Sequence, residues 1–167
     1  MKTFFKITVL ALATTFALQS CGGKKEKTEE TTTTEELYPA GETISNELSI
    51  EATDQMQYST NELRAKVGEI TLTLKHVGQM EKAVMGHNLI ILKSGTDVNA
   101  FGAKAAEAKD NDYIPTSEEA SIIAHTKLLG GGESDTITFS ITEPGTYDYI
   151  CSFPGHLALM KGKLIVE

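Results

Sequence analysis

Near one end of the chain, ten consecutive residues hold a thiol, an imidazole and a thioether: Cys151, His156 and Met160 in the run Cys151-Ser152-Phe153-Pro154-Gly155-His156-Leu157-Ala158-Leu159-Met160. A thiolate is a soft, strongly donating ligand, an imidazole is intermediate, and a thioether is a weak ligand that few metals recruit. One Cys with two His and a long axial Met is the set that holds copper for electron transfer. A lone buried Cys would otherwise read as a small core residue, but His156 and Met160 in register with it favour a ligand loop. The run supplies only one His, so a second must come from elsewhere. The candidate is His87, in Met85-Gly86-His87-Asn88.

The elements that must position these residues are strands. Residues 146–150 and 163–166 bracket the ligand loop and are strand-like. Residues 48–52 and 56–59 alternate, residues 69–76 form a strong period-two run with Ile70, Leu72 and Leu74 on one face, and residues 134–141 alternate with Ile137, Phe139 and Ile141 inward. Residues 88–92 read as a more fully buried strand. About seven or eight strands with Gly-rich turns at 130–132 and 144–145 predict an all-β sandwich. Residues 98–110 break the pattern: their alanines favour a helix that Asp97 or Thr96 caps, and a short helical turn is expected from Thr116. Both read as a helical flap inserted between strands, with a packing role.

The 167 residues carry a formal charge of −8, an acidic balance that disfavours nucleic acid and suits a basic partner. Lys2 and Lys6 precede an apolar run over 7–18, too short to cross a membrane, and Leu18-Gln19-Ser20-Cys21 follows. Residues 1–20 thus read as an export signal, and Leu18-Gln19-Ser20-Cys21 looks like a bacterial lipobox, with Cys21 as the lipidated residue. Residues 21–45, rich in Gly, Lys, Glu and Thr, cannot bury a core and are expected to form a disordered tether. The expected location is the cell envelope, lipid-anchored to a bacterial membrane and facing the periplasm. Residues 46–167 form the domain.

From about residue 51 onward the chain resembles azurin, a bacterial cupredoxin. The resemblance is carried by Asp54-Gln55-Met56-Gln57-Tyr58, His76 with Gly78, Val84-Met85-Gly86-His87-Asn88, Ile123-Ala124-His125-Thr126-Lys127-Leu128 and the run from Cys151 to Met160. It implies a Greek-key β-sandwich with one type 1 copper ion at one end. His87, Cys151 and His156 would form the trigonal plane, Met160 the weak axial ligand, and the Gly86 carbonyl would sit opposite it. Asn88 is expected to bond across to Ser152 and so brace His87 against the loop. The chain departs from the azurin pattern in lacking a disulfide, in having Leu89 where a buried Trp is often found, and in its lipobox and tether.

In the same resemblance the His76 position lies buried beside the site and the His125 position on the surface, and neither binds copper. A packed role is expected for His76, with titration coupled to redox state as the alternative. Met56, Met80, Val84, Met85, Phe153, Pro154, Ala158 and Leu159 would ring the solvent edge of His156 as an apolar docking patch, made greasier by Leu157. The expected function is one-electron transfer, not enzyme catalysis, with c-type cytochromes, a haem peroxidase or a terminal oxidase as partners. The competing reading is a copper protein for storage, delivery or sensing. Four histidines are too few for a multicopper oxidase.

Overall fold

The computed structural model describes residues 44–167; the export signal, Cys21 and all but the last two residues of the tether lie outside them. Alternation decides where the sheets form. On β4 (Gly68–His76) the side chains of Ile70, Leu72 and Leu74 are fully buried, while Thr71 and Thr73 between them are half-exposed. Antiparallel β7 (Ser134–Ile141) sets Phe139 opposite Ile70 and Ile137 opposite Leu72, so both strands turn the same apolar face inward.

Two sheets result. The first runs in the order β2 (Gln57–Tyr58), β1 (Glu47–Thr53), β4, β7. The second runs β3 (Glu62–Ala65), β9 (Lys161–Val166), β8 (Gly145–Ile150), β5 (Ile90–Leu92), β6 (Ile122–His125). β1 lies parallel to β4, and β3 lies parallel to β9. Parallel neighbours need crossovers, and the chain passes repeatedly from one sheet to the other. The fold is a Greek-key β-sandwich, as the sequence predicts, with a helical flap inserted between β5 and β6.

The main core lies between the sheets and holds Leu89 and Ile91 with Ile50, Tyr149 and Leu164. A smaller core lies on the outer face of the second sheet, where Ile90, Leu92 and Ile150 meet Phe101 and Ala105 of the flap helix and Ile114 after it. β5 is therefore covered on both faces, which is why its sequence is continuously apolar where β4 alternates. The flap helix α2 (Val98–Glu107) follows α1 (Lys82–Met85), a single turn just before Gly86. Asp97 caps α2 by accepting from the Asn99 and Ala100 N–H groups at 2.9 and 3.0 Å. The α-helix stops at Glu107, short of the expected end, and a 3-10 turn over Lys109–Asn111 continues it. A second 3-10 turn covers Thr116–Ser121.

Two strands were not legible as strands. β3 is four residues with alternating charge, Glu-Leu-Arg-Ala, held by the parallel register Leu63↔Leu164 and Ala65↔Val166. β6 is an edge strand whose pairing with β5 shifts register between Ile91 and Leu92. Both are defined by their neighbours rather than by their own period.

Candidate metal centre

Three donor atoms from two distant segments converge in the interior. The Cys151 Sγ lies 4.0 Å from His87 Nδ1 and 3.7 Å from His156 Nδ1, and the two Nδ1 atoms are 3.2 Å apart. All three residues are buried. The point equidistant from the three atoms lies about 2.1 Å from each, within the range of metal–nitrogen and metal–sulfur bonds, about 2.0–2.3 Å. The residues therefore fit a metal ion without rearrangement.

The loop that carries two of these donors is closed at its base. β8 and β9 pair at Ile150↔Lys161, and the Cys151 N–H donates to the Met160 carbonyl at 2.9 Å. Inside it the His156 N–H donates to the Phe153 carbonyl at 3.0 Å, and the Met160 N–H to the His156 carbonyl at 2.8 Å. Gly155 has φ 84°, a left-handed conformation that lets the chain turn sharply into His156. The Met160 side chain is fully buried at the end of this loop.

His87 is held from other parts of the fold. Its backbone exchanges two hydrogen bonds with Leu129, at 3.0 and 2.8 Å. Its Nε2–H donates to the Thr53 carbonyl at 3.0 Å, which leaves the Nδ1 lone pair facing Cys151 and His156. Next to it, the Asn88 Oδ1 accepts from the Ser152 N–H at 2.9 Å, and the Asn88 Nδ2 donates to the Ser152 Oγ at 2.8 Å. The Tyr58 hydroxyl donates to the Asn88 carbonyl. Gly86 has no room for a side chain: a Cβ there would stand 2.7 Å from the Lys82 carbonyl and 2.9 Å from the Phe153 ring.

Burial sets the protonation states. It lowers the His87 pKa to about 4, aided by His76 and His156, and lowers that of His156 as well, aided by His76, so both imidazoles are neutral ligands near pH 7. Burial also pushes the Cys151 thiol up to about 11. A metal ion must therefore displace the thiol proton, and binding strengthens as pH rises.

A family profile described as copper binding proteins, plastocyanin/azurin family, matches residues 44–167. The chain belongs to the plastocyanin/azurin family. It is 41% identical over 120 residues to outer membrane protein H.8 of Neisseria gonorrhoeae, an alignment covering 70% of this chain and 64% of that one. The chain thus spans less than two thirds of that relative's length. It is 41% identical over 127 residues to azurin-2 of Alcaligenes xylosoxydans xylosoxydans, covering 71% of this chain and 95% of that one. The crystal structure of dithionite-reduced auracyanin from Roseiflexus castenholzii superposes with a TM-score of 0.67 at 36% identity, covering 75% of this chain and 99% of that one.

Members of the plastocyanin/azurin family are electron-transfer proteins and not enzymes, and His87, Cys151 and His156 are placed to bind their copper. Bound there, copper supplies a one-electron change between Cu(I) and Cu(II). The chain's own part is to keep the donors still, so that little moves when the charge changes. Buried His76 stacks edge-on against His87, ring centres 4.5 Å apart, with its Nε2 3.4 Å from Asp54 Oδ1. His125 lies exposed on β6, its Nδ1 3.1 Å from the Thr126 carbonyl.

The apolar residues expected at the docking patch divide by burial. Met80, Val84, Pro154, Ala158 and Leu159 are exposed, and Met85 is half-buried. Met56 and Phe153 are half-buried and pack against the main core. Leu157 departs from expectation: it packs on the flap core, over Gly102, instead of adding to the patch. The Thr53 carbonyl and the Asp112 carbonyl, which accepts from Asn88 Nδ2 at 3.3 Å, escaped the sequence reading, because a main-chain acceptor leaves no mark in residue type.

Proposed function

We propose that the protein carries single electrons between redox partners of the cell envelope, meeting them through the apolar surface beside His156. The observation that carries this reading is where the exposed apolar side chains sit. Val84 stands two residues before Gly86 and three before His87, Pro154 lies between Cys151 and His156, and Ala158 and Leu159 follow His156 in its own turn. Val84 is 58% exposed and Leu159 61%, the two highest values among the exposed large apolar side chains of the described residues. A small apolar patch over a redox centre suits brief, weak docking, and c-type cytochromes, a haem peroxidase or a terminal oxidase are the proposed partners.

The outer-membrane name of one relative supports an envelope location, and the lipobox at Leu18 to Cys21 supports attachment by lipid. Such a tethered domain would visit membrane-bound partners at high effective concentration. Cys21→Ser should move the protein from the membrane to the soluble fraction; continued membrane retention would argue against lipidation.

Docking is tested by rapid mixing of the Cu(II) protein with a reduced c-type cytochrome. Val84→Asp and Leu159→Asp should each slow the second-order reaction by about tenfold. Val67→Asp, at an exposed apolar residue bonded to the end of β9 away from the ligand loop, adds the same charge and should leave the rate near that of the parent. Equal rates for all three variants would remove the patch from the electron path.

A further inference from the structure

The flap does more than cover the second sheet. Three of its residues reach the ligand loop or its brace. The Asp112 carbonyl accepts from Asn88 Nδ2 at 3.3 Å. The other hydrogen of that amide goes to Ser152 Oγ, so Asp112 uses the remaining donor of the residue that ties His87 to the loop. The Tyr113 ring meets the edge of Phe153, centres 5.2 Å apart at 69°, and Phe153 lies against His156 with centres 4.7 Å apart. Leu157, next to His156, seats over Gly102 of α2, where an added Cβ would come 2.3 Å from its Cδ2.

The backbone that delivers the first two contacts is strained. Asp112 and Tyr113 stand in succession at φ 49° and 61°. A non-glycine residue in that region costs on the order of 1–3 kcal/mol, and such residues persist only where the surroundings hold them. Here the Tyr113 N–H donates to the Ala108 carbonyl at 2.9 Å, Asn111 Nδ2 donates to the Ile114 carbonyl at 2.7 Å, and Ile114 is anchored in the flap core. Glycine would relieve the strain at either place, but glycine at 113 would bring no ring to Phe153.

We propose that Asp112 and Tyr113 are positioning residues for the copper ligands: the strained turn clamps the ligand loop from outside, Tyr113 through Phe153 onto His156 and Asp112 through Asn88 onto His87 and Ser152. The sandwich holds these ligands from within, and the flap supplies the opposing surface. Aromatic pairs of this geometry add modestly to the area they bury, so the effect falls on placement of the His156 ring more than on folding.

The test compares Tyr113→Ala, Tyr113→Leu and Tyr113→Phe in the full-length copper-loaded protein. The readouts are the thiolate-to-copper absorption band, the Cu(II) EPR hyperfine splitting and the rate of copper loss to excess chelator. Tyr113→Ala and Tyr113→Leu should shift the band and splitting and speed copper loss by about tenfold, the low end of what losing an outer partner costs. Tyr113→Phe keeps the ring and should match the parent. If Tyr113→Ala does not fold, Tyr113→Leu decides, because it keeps most of the volume without the aromatic edge. Parental spectra and release rates in the Leu variant would overturn the clamp, even with a lowered thermal midpoint, because the flap would then serve packing alone.

Discussion

The loop with Cys151, His156 and Met160 and the segment with Gly86 and His87 are ordered by different means. The loop is largely built from within: apart from the tie of Ser152 to Asn88, its hydrogen bonds join residues no more than nine positions apart, and β8 and β9 close its base. The His87 segment relies on the rest of the chain, its ring on a carbonyl 34 residues away and its neighbour Asn88 on a serine 64 residues away. Short closures cost little chain entropy, whereas distant ones are held only when the whole sandwich has formed. The centre is thus a locally built hairpin docked against a globally built wall, and a bound ion adds a bond between them.

That contrast can be broken most severely at the thiol. Cys151→Ser is close in size and should preserve the far-UV circular dichroism, yet it should abolish the thiolate-to-copper absorption outright; a surviving band would remove Cys151 from the ligands. Next comes the joint between the halves. Asn88→Ala loses every tie to Ser152 and should weaken copper binding by about tenfold to a hundredfold in a chelator competition, with a loss of about 1–3 kcal/mol in denaturant unfolding. Ser152→Ala keeps the backbone donor to Asn88 and should cost less; an equal loss would mean that the hydroxyl, not the brace as a whole, matters.

An effect on stability alone is expected within the wall itself. Gly86→Ala puts a Cβ against the Lys82 carbonyl and the Phe153 ring, and should destabilise by about 1–3 kcal/mol, as overpacking does. An unchanged unfolding midpoint would show that the segment gives way more easily than its long-range bonds suggest.

A separate effect, confined to acid pH, concerns the metal-free protein. His87 has a folded pKa of about 4 against an ordinary 6.5, so between those values the unfolded chain binds a proton that the folded one refuses. The stability this contributes is fully present above about 6.5 and is lost as pH falls through about 4. Thermal midpoints of the metal-free protein should fall over that window, and His87→Gln should flatten part of the slope. An equally steep profile in the variant would assign the acid sensitivity elsewhere.

What could be read from residue types alone was the chemistry and the regular strands. Cys151, His156 and Met160 announce their metal because so few ions accept that donor set. β4 and β7 announce themselves as strands because one buried face imposes period two on the sequence, while their pairing comes from the fold. The Asp97 cap and the flap helix were legible from local propensity for the same reason: every residue that decides them lies within one turn. β3 and β6 were not legible, because four residues carry too short a pattern and their register comes from β9 and β5.

The sequence by itself determined which groups would bind metal and which segments would be strands, since both follow from side-chain type and spacing. Only the tertiary structure decided that the Thr53 carbonyl orients His87, that Leu157 packs onto the flap core, and that Asp112 and Tyr113 meet Asn88 and Phe153. These choices rest on main-chain acceptors, on backbone conformation and on contacts between residues far apart in the chain. Such relations come into being when the two sheets and the flap close on one another, and residue type does not record them.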